Sequence, residues 1–165
     1  MADYHTPTVV QPIIPNTDMT PLERLLLINV FDAEDEGDAL YFFTELGAAD
    51  NFDLSATEFQ TALSGSSHVQ SIVCEYLSER ISALQVSDGF VEIDLSEISW
   101  MAIFQDIVRR SSTLKYIYVI SAFTCTKMRS DGFGGMAILI TADTVRSKST
   151  TDILDEFLLE AGFVP

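Results

Sequence analysis

Two β-forming runs joined by a short glycine-rich link constrain this chain more than anything else in it: KYIYVISAFTCTKM at residues 115–128 and MAILITAD at 136–143. Both are dense in β-branched and aromatic side chains, and the link between them, RSDGFGG, has room only for a reversal. They predict a hairpin whose connection uses glycines at positive φ. The link could be mistaken for a phosphate-cradling loop, but such a loop opens a helix and here a strand follows.

The stretch before the hairpin reads as strand and then helix. GFVEIDL (89–95) alternates, with Val91, Ile93 and Leu95 inward and Glu92 and Asp94 outward. Ser96 is placed to cap a helix running through Trp100, Ile103, Phe104, Ile107 and Val108 to Arg109 and Arg110, cations that suit the negative helix end. Strand, helix and strand on short links predict a right-handed parallel crossover into residues 115–128.

Earlier elements carry clear punctuation. In TPLE, Thr20 as cap, Pro21 at the first helical position and Glu23 form a capping box, followed by a run apolar on nearly all sides. ALYFFTE (39–45) is an unbroken apolar strand that expects cover on both faces. Leu54, Ser55, Glu58 and Phe59 open a second helix that Gly65 stops. Ser67 and Gln70 open a third, striped by Val69, Ile72, Val73, Tyr76, Leu77, Ile81 and Leu84. A last helix sets Ile153, Leu154, Phe157, Leu158 and Ala161 against Asp152, Asp155, Glu156 and Glu160, with Gly162 as terminator. The order α-β-α-α-β-α-β-β-α predicts an α+β (mixed α/β) fold with a single mixed sheet of about four strands and helices packed on it.

Pro7, Pro12 and Pro15 hold residues 1–19 extended around Val9, Val10, Ile13 and Ile14. This reads as an N-terminal arm before one globular domain at 20–165, and the arm must lie against its own domain or a second copy. A homodimer through residues 1–19 is therefore expected. No run approaches the roughly 20 apolar residues of a membrane span. The start lacks a signal peptide's pattern, and Cys74 and Cys125 show no disulfide spacing, which points to a cytoplasmic protein without a membrane partner.

Charge supplies the functional expectation. The 165 residues carry a formal charge of −16. Nineteen carboxylates and two cations precede residue 109, whereas six carboxylates and seven cations follow, so the two parts stand at −17 and +1. Such a charge repels nucleic acid and favours basic partners. It is densest in FDAEDEGDALYFF, where Asp32, Glu34, Asp35, Glu36 and Asp38 crowd together. A calcium loop beginning at Asp32 would need a glutamate at its twelfth position, where Phe43 stands, so a solvated turn between helix and strand is the expectation.

No cofactor motif, zinc spacing or nucleophilic set stands out around His5, His68, Cys74 and Cys125. Asp94 and Glu97 are the one candidate carboxylate pair. The hairpin is expected to bring Arg146 and Lys148 to Lys115, with Arg109 and Arg110 delivered to the same edge, as an alternative anion or nucleic-acid site. The leading expectation is a non-enzymatic, acidic protein-binding module. Its five clustered carboxylates would meet a basic protein, and could block a nucleic-acid-binding one by imitating phosphates.

Overall fold

The computed structural model describes residues 2–81, 86–129 and 131–164. Leu84 of the expected stripe and Ser130 of the glycine-rich link lie outside them. The fold is α+β, but the expected single sheet of about four strands is corrected to an eight-stranded sheet and a separate three-stranded one.

In the large sheet β9 (Tyr116–Cys125) and β10 (Gly134–Thr141) form the expected hairpin, and β11 (Val145–Ser149) folds back on β10. The other side of β9 pairs with the N-terminal segment, which its prolines break into β1 (Tyr4–His5), β2 (Thr8–Gln11) and β3 (Ile14–Pro15). Beyond that segment lie β5 (Ala39–Thr44) and, outermost, β4 (Asp32–Asp35). Every pairing is antiparallel. The N-terminal segment is thus seated through β1, β2 and β3 in the sheet of its own chain, with Val10 and Ile14 fully buried and Val9 and Ile13 outward.

The small sheet orders β6 (Asn51–Ser55), β8 (Phe90–Asp94) and β7 (Val86–Ser87), again antiparallel. This corrects the parallel crossover, because β8 pairs with β6 and β7 and not with β9. The physical reason is its alternation: Glu92 and Asp94 need a solvated face, which a parallel strand covered on both sides would deny them.

Among the described residues five α-helices complete the fold, besides a 3-10 turn at Asn16–Asp18: α1 (Pro21–Val30), α2 (Ala56–Ser66), α3 (Ile72–Arg80), α4 (Trp100–Arg110) and α5 (Thr150–Glu160). The capping box of α1 forms as spelled, with Thr20 Oγ1 accepting from the Glu23 amide at 3.2 Å and Glu23 accepting from the Thr20 amide at 2.8 Å. Two helix starts move. Ser99, not Ser96, caps α4, and the Ser96 amide donates instead to Asp94 at 2.8 Å. α3 starts after Ser71, where the Ile72 amide donates to the Asp106 carboxylate of α4 at 3.0 Å.

The link glycines are also used differently from the expectation. Positive φ occurs at Gly37, Gly47, Gly89 and Gly162, and not at Gly132, Gly134 or Gly135. A Cβ on Gly132 would stand 2.5 Å from the Cys125 Cβ, so close approach is what demands glycine there.

α1 and α4 cover the inner face of the large sheet, where Leu22, Leu26, Ile103 and Ile107 meet Val10, Ile117, Val119 and Ile140. Phe31, Phe42, Trp100 and Phe104 form an aromatic cluster with ring centroids 5.4 to 6.3 Å apart. The outer face has no such cover, and α5 buries none of its residues. Among the described residues no helix is long and apolar enough to cross a membrane.

Among the described residues one charged side chain is buried inside the helical layer, beside the hydroxyls of Thr20, Ser66 and Ser71. The Glu23 side chain is fully buried and accepts from the Ser71 hydroxyl at 2.6 Å and from the Arg110 guanidinium. Arg110 Nε lies 3.5 Å from Asp106, an ion-pair distance without hydrogen-bond geometry. Removing one partner of such a pair strands the other charge. Glu23→Ala is therefore expected to cost about 3–5 kcal/mol in urea denaturation, whereas Glu23→Met with Arg110→Met costs far less.

Candidate functional site

The five clustered carboxylates do not form a turn between helix and strand; most of them are a strand. Phe31, 3% exposed, is anchored in the aromatic cluster, and its amide closes α1 on the Leu27 carbonyl at 2.9 Å. From there the chain is extended and pairs with β5, Asp32 opposite Phe43 and Glu34 opposite Tyr41. Acidic residues are poor strand formers, so the pairing is imposed by β5 and the buried residues that flank it. Asp35 accepts from the Gly37 amide at 2.9 Å, Gly37 has φ +78°, and the turn carries Glu36 and Asp38 outward before β5 begins.

All five side chains are exposed, and none makes an ion pair within the described residues. β4 is an edge, with no strand on its far side among those residues. A groove of about 860 Å³ runs beside it, lined by Ile28, Asp32, Glu34, Phe43, Glu45 and Leu46 among others. Its lining contains carboxylates and no cation. Glu45, Ile28 and Leu46 escaped the sequence reading because nothing in their spacing ties them to residues 32–38.

A second acidic surface is the solvated face of the small sheet. Asp53 lies directly opposite Glu92, and Asp94 shares that face. Hydrogen bonds from the Ser96 side chain and backbone hold the Asp94 carboxyl below the ordinary range. Glu97, its supposed partner, is turned away to Arg80 at 2.8 Å and to the Tyr76 hydroxyl at 3.3 Å. The first 108 residues therefore expose two separate acidic surfaces, while Glu23 is spent internally.

The five cations of the alternative site are strung out. Arg110 turns inward to Glu23. Arg109 donates to the Ala142 carbonyl at 2.7 Å, and Lys115 to the Ser112 carbonyl at 3.2 Å. Because β11 pairs back on β10, Lys148 lies opposite Ala137, itself opposite Ile120, about 17 Å along the strand from Lys115. Arg146 and Lys148 remain neighbours on β11, and Lys148 pairs with Glu156. The overlooked signal for β11 was the two-residue period of VRSKS.

Cys74 is buried and Cys125 half-buried, both as free thiols. Among the described residues no three His, Cys, Asp or Glu side chains gather in a way that could hold a metal ion. Comparisons with protein-family models, curated proteins and solved structures give no match.

Two outcomes follow from these surfaces. Like charges directly opposite in a sheet destabilise it, so Glu92→Lys, which turns the pair with Asp53 attractive, is expected to raise stability by roughly 0.2–1 kcal/mol in denaturant unfolding. Asp152 is held low by hydrogen bonds from the Ser149 backbone and side chain, as Asp94 is by Ser96. A depressed carboxyl contributes stability above its unfolded pKa and loses it as pH falls through the folded value. Acidification below about pH 4 is then expected to lower the amide-exchange protection factors of Ser96 and Ser149 first, read by NMR against the intrinsic rate at each pH.

Proposed function

We propose that this chain is a non-enzymatic docking module of the reducing cytoplasm that receives a basic, extended segment of a partner protein along β4. The observation that carries this reading is the exposed edge strand whose carboxylates have no cation beside them. An edge offers a row of unpaired backbone groups to any extended peptide, and side-chain charge decides which peptide is admitted. Asp32, Glu34, Asp35, Glu36 and Asp38 turn away acidic strands and admit Lys and Arg, while Ile28, Leu46 and Phe43 offer the groove apolar ground. A partner segment that otherwise meets nucleic-acid phosphates is the natural candidate, and occupying it would make the module an inhibitor. Direct binding to nucleic acid is opposed by the charge of −16.

A peptide alternating lysine with apolar residues tests this by fluorescence anisotropy. Replacing the five carboxylates by Asn and Gln is expected to weaken binding about tenfold or more, and raising salt from about 0.05 to 0.5 M to weaken it similarly. N-methylating alternate peptide nitrogens removes the ladder donors and abolishes binding. Binding indifferent to salt and to the neutralised variant, or equal binding of an acidic peptide, refutes the reading.

A further inference from the structure

The hydrogen-bond phase of the β4–β5 hairpin decides which backbone groups of the acidic edge are free. Glu36 and Ala39 flank a two-residue turn whose first position is Gly37, and the Glu36 amide donates to the Ala39 carbonyl at 2.9 Å. Opposed residues of an antiparallel pair alternate between those that exchange backbone bonds and those that do not. From Glu36 back along the register, Glu34 with Tyr41 and Asp32 with Phe43 exchange bonds, while Asp35 with Leu40 and Ala33 with Phe42 do not. The other side of β5 agrees. The Asn16 amide donates to the Asp38 carbonyl at 2.8 Å, so in the same register Ile14 and Leu40 exchange bonds, and the Leu40 groups point away from Asp35.

The amides and carbonyls of Ala33 and Asp35 therefore face outward from the sheet edge, with no strand beyond them among the described residues. Side chains divide the other way. Ala33 shares the face of Phe42, which is fully buried, whereas Asp32 and Glu34 share the outer face with Phe43 and Tyr41. A segment lying on this edge meets free backbone at Ala33 and Asp35, and outer-face carboxylates at Asp32 and Glu34.

Parallel and antiparallel segments use these four backbone groups differently. An antiparallel segment bonds them with only the two residues opposite Ala33 and Asp35, each giving an amide and a carbonyl. A parallel one needs the residues opposite Asp32, Glu34 and Glu36, and must follow the edge over that whole length. β4 gives no such length, because Phe31 is buried before Asp32 and the chain reverses at Gly37 after Glu36. We infer that the basic segment docks antiparallel to β4, its backbone held by Ala33 and Asp35 and its cations on the outer face opposite Asp32 and Glu34. The residue between those cations faces inward opposite Ala33, whose small side chain shares the groove with Ile28. An apolar residue fits there, so the recognised pattern is a cation, an apolar residue and a second cation. This inference rests on the docking reading and adds direction and register to it.

A capped peptide, Lys-Val-Lys-Val-Lys, and two derivatives N-methylated on either the valines or the lysines test it by fluorescence anisotropy. Methylating the valines removes the amides that donate to Ala33 and Asp35 and is expected to weaken binding about tenfold or more, whereas methylating the solvent-facing lysine amides changes it by less than about threefold. A nitroxide on the peptide's amino end is expected to broaden the Gly37 amide more than the Leu46 amide in NMR spectra. In the protein, Ala33→Pro deletes a docking donor that β5 does not use, a change an edge strand tolerates. It is expected to keep the circular dichroism and to bind the parent peptide about tenfold more weakly or worse. The methylated pair decides on the wild-type chain if that variant does not fold. The reverse preference between the methylated peptides, equal affinity of the two, a nitroxide effect strongest at Leu46, or a folded Ala33→Pro chain that binds fully overturns the antiparallel register and leaves docking standing. A parent peptide that does not bind overturns the docking reading, and this inference with it.

Discussion

The buried carboxylate of Glu23 is the interaction on which the helical layer depends. It caps its own helix through the Thr20 amide, takes the Ser71 hydroxyl before α3 and draws in Arg110 from the end of α4. One fully buried anion thereby fixes the mutual positions of three helices, because a charge in that setting tolerates no loss of partners. The Asp106 carboxylate continues the arrangement by accepting the first amide of α3. With the helices so held, the aromatic cluster of Phe31, Phe42, Trp100 and Phe104 closes over the inner face of the sheet. Phe31 is the last anchored residue before the acidic strand, so the core decides where β4 begins.

That same capture changes the surface. It removes Arg110 from any external role and leaves the cations of β11 at one side of the sheet, far from the carboxylates of β4 at the other. Like charges along an edge discourage two identical edges from pairing, a common protection for exposed strands. The acidic imbalance along the chain thus collects at one edge of the sheet, where the carboxylates of β4 have no cation beside them, whereas Lys148 of β11 meets Glu156.

Much of the fold was legible where local chemistry decides it. The capping box at Thr20, Pro21 and Glu23, the hairpin of β9 and β10 and the amphipathic pattern of α4 all depend on residues within a few positions of one another. Helix starts at Ser71 and Ser99 were misplaced because their competitors, Ser67 and Ser96, are equally good caps in isolation; contact with Glu23 and Asp106 settled the first. β4 was missed because aspartate and glutamate disfavour strands, and only pairing with β5 makes one of them. The candidate site was half visible: its carboxylates were evident from their crowding, but the groove residues Ile28, Glu45 and Leu46 come from either side of β4.

By itself the sequence determined the helices with strong caps, the hairpin, the mixture of helix and strand and the excess of negative charge, all of which follow from composition and short-range spacing. Only the tertiary structure decided that the strands divide into two antiparallel sheets, that the N-terminal segment is part of the larger one, and that carboxylates and cations end on opposite sides of it. The reason is range. Caps and turns are chosen by neighbours a few residues apart, whereas strand order and the placement of charge depend on which distant segments can share backbone hydrogen bonds while burying their apolar faces.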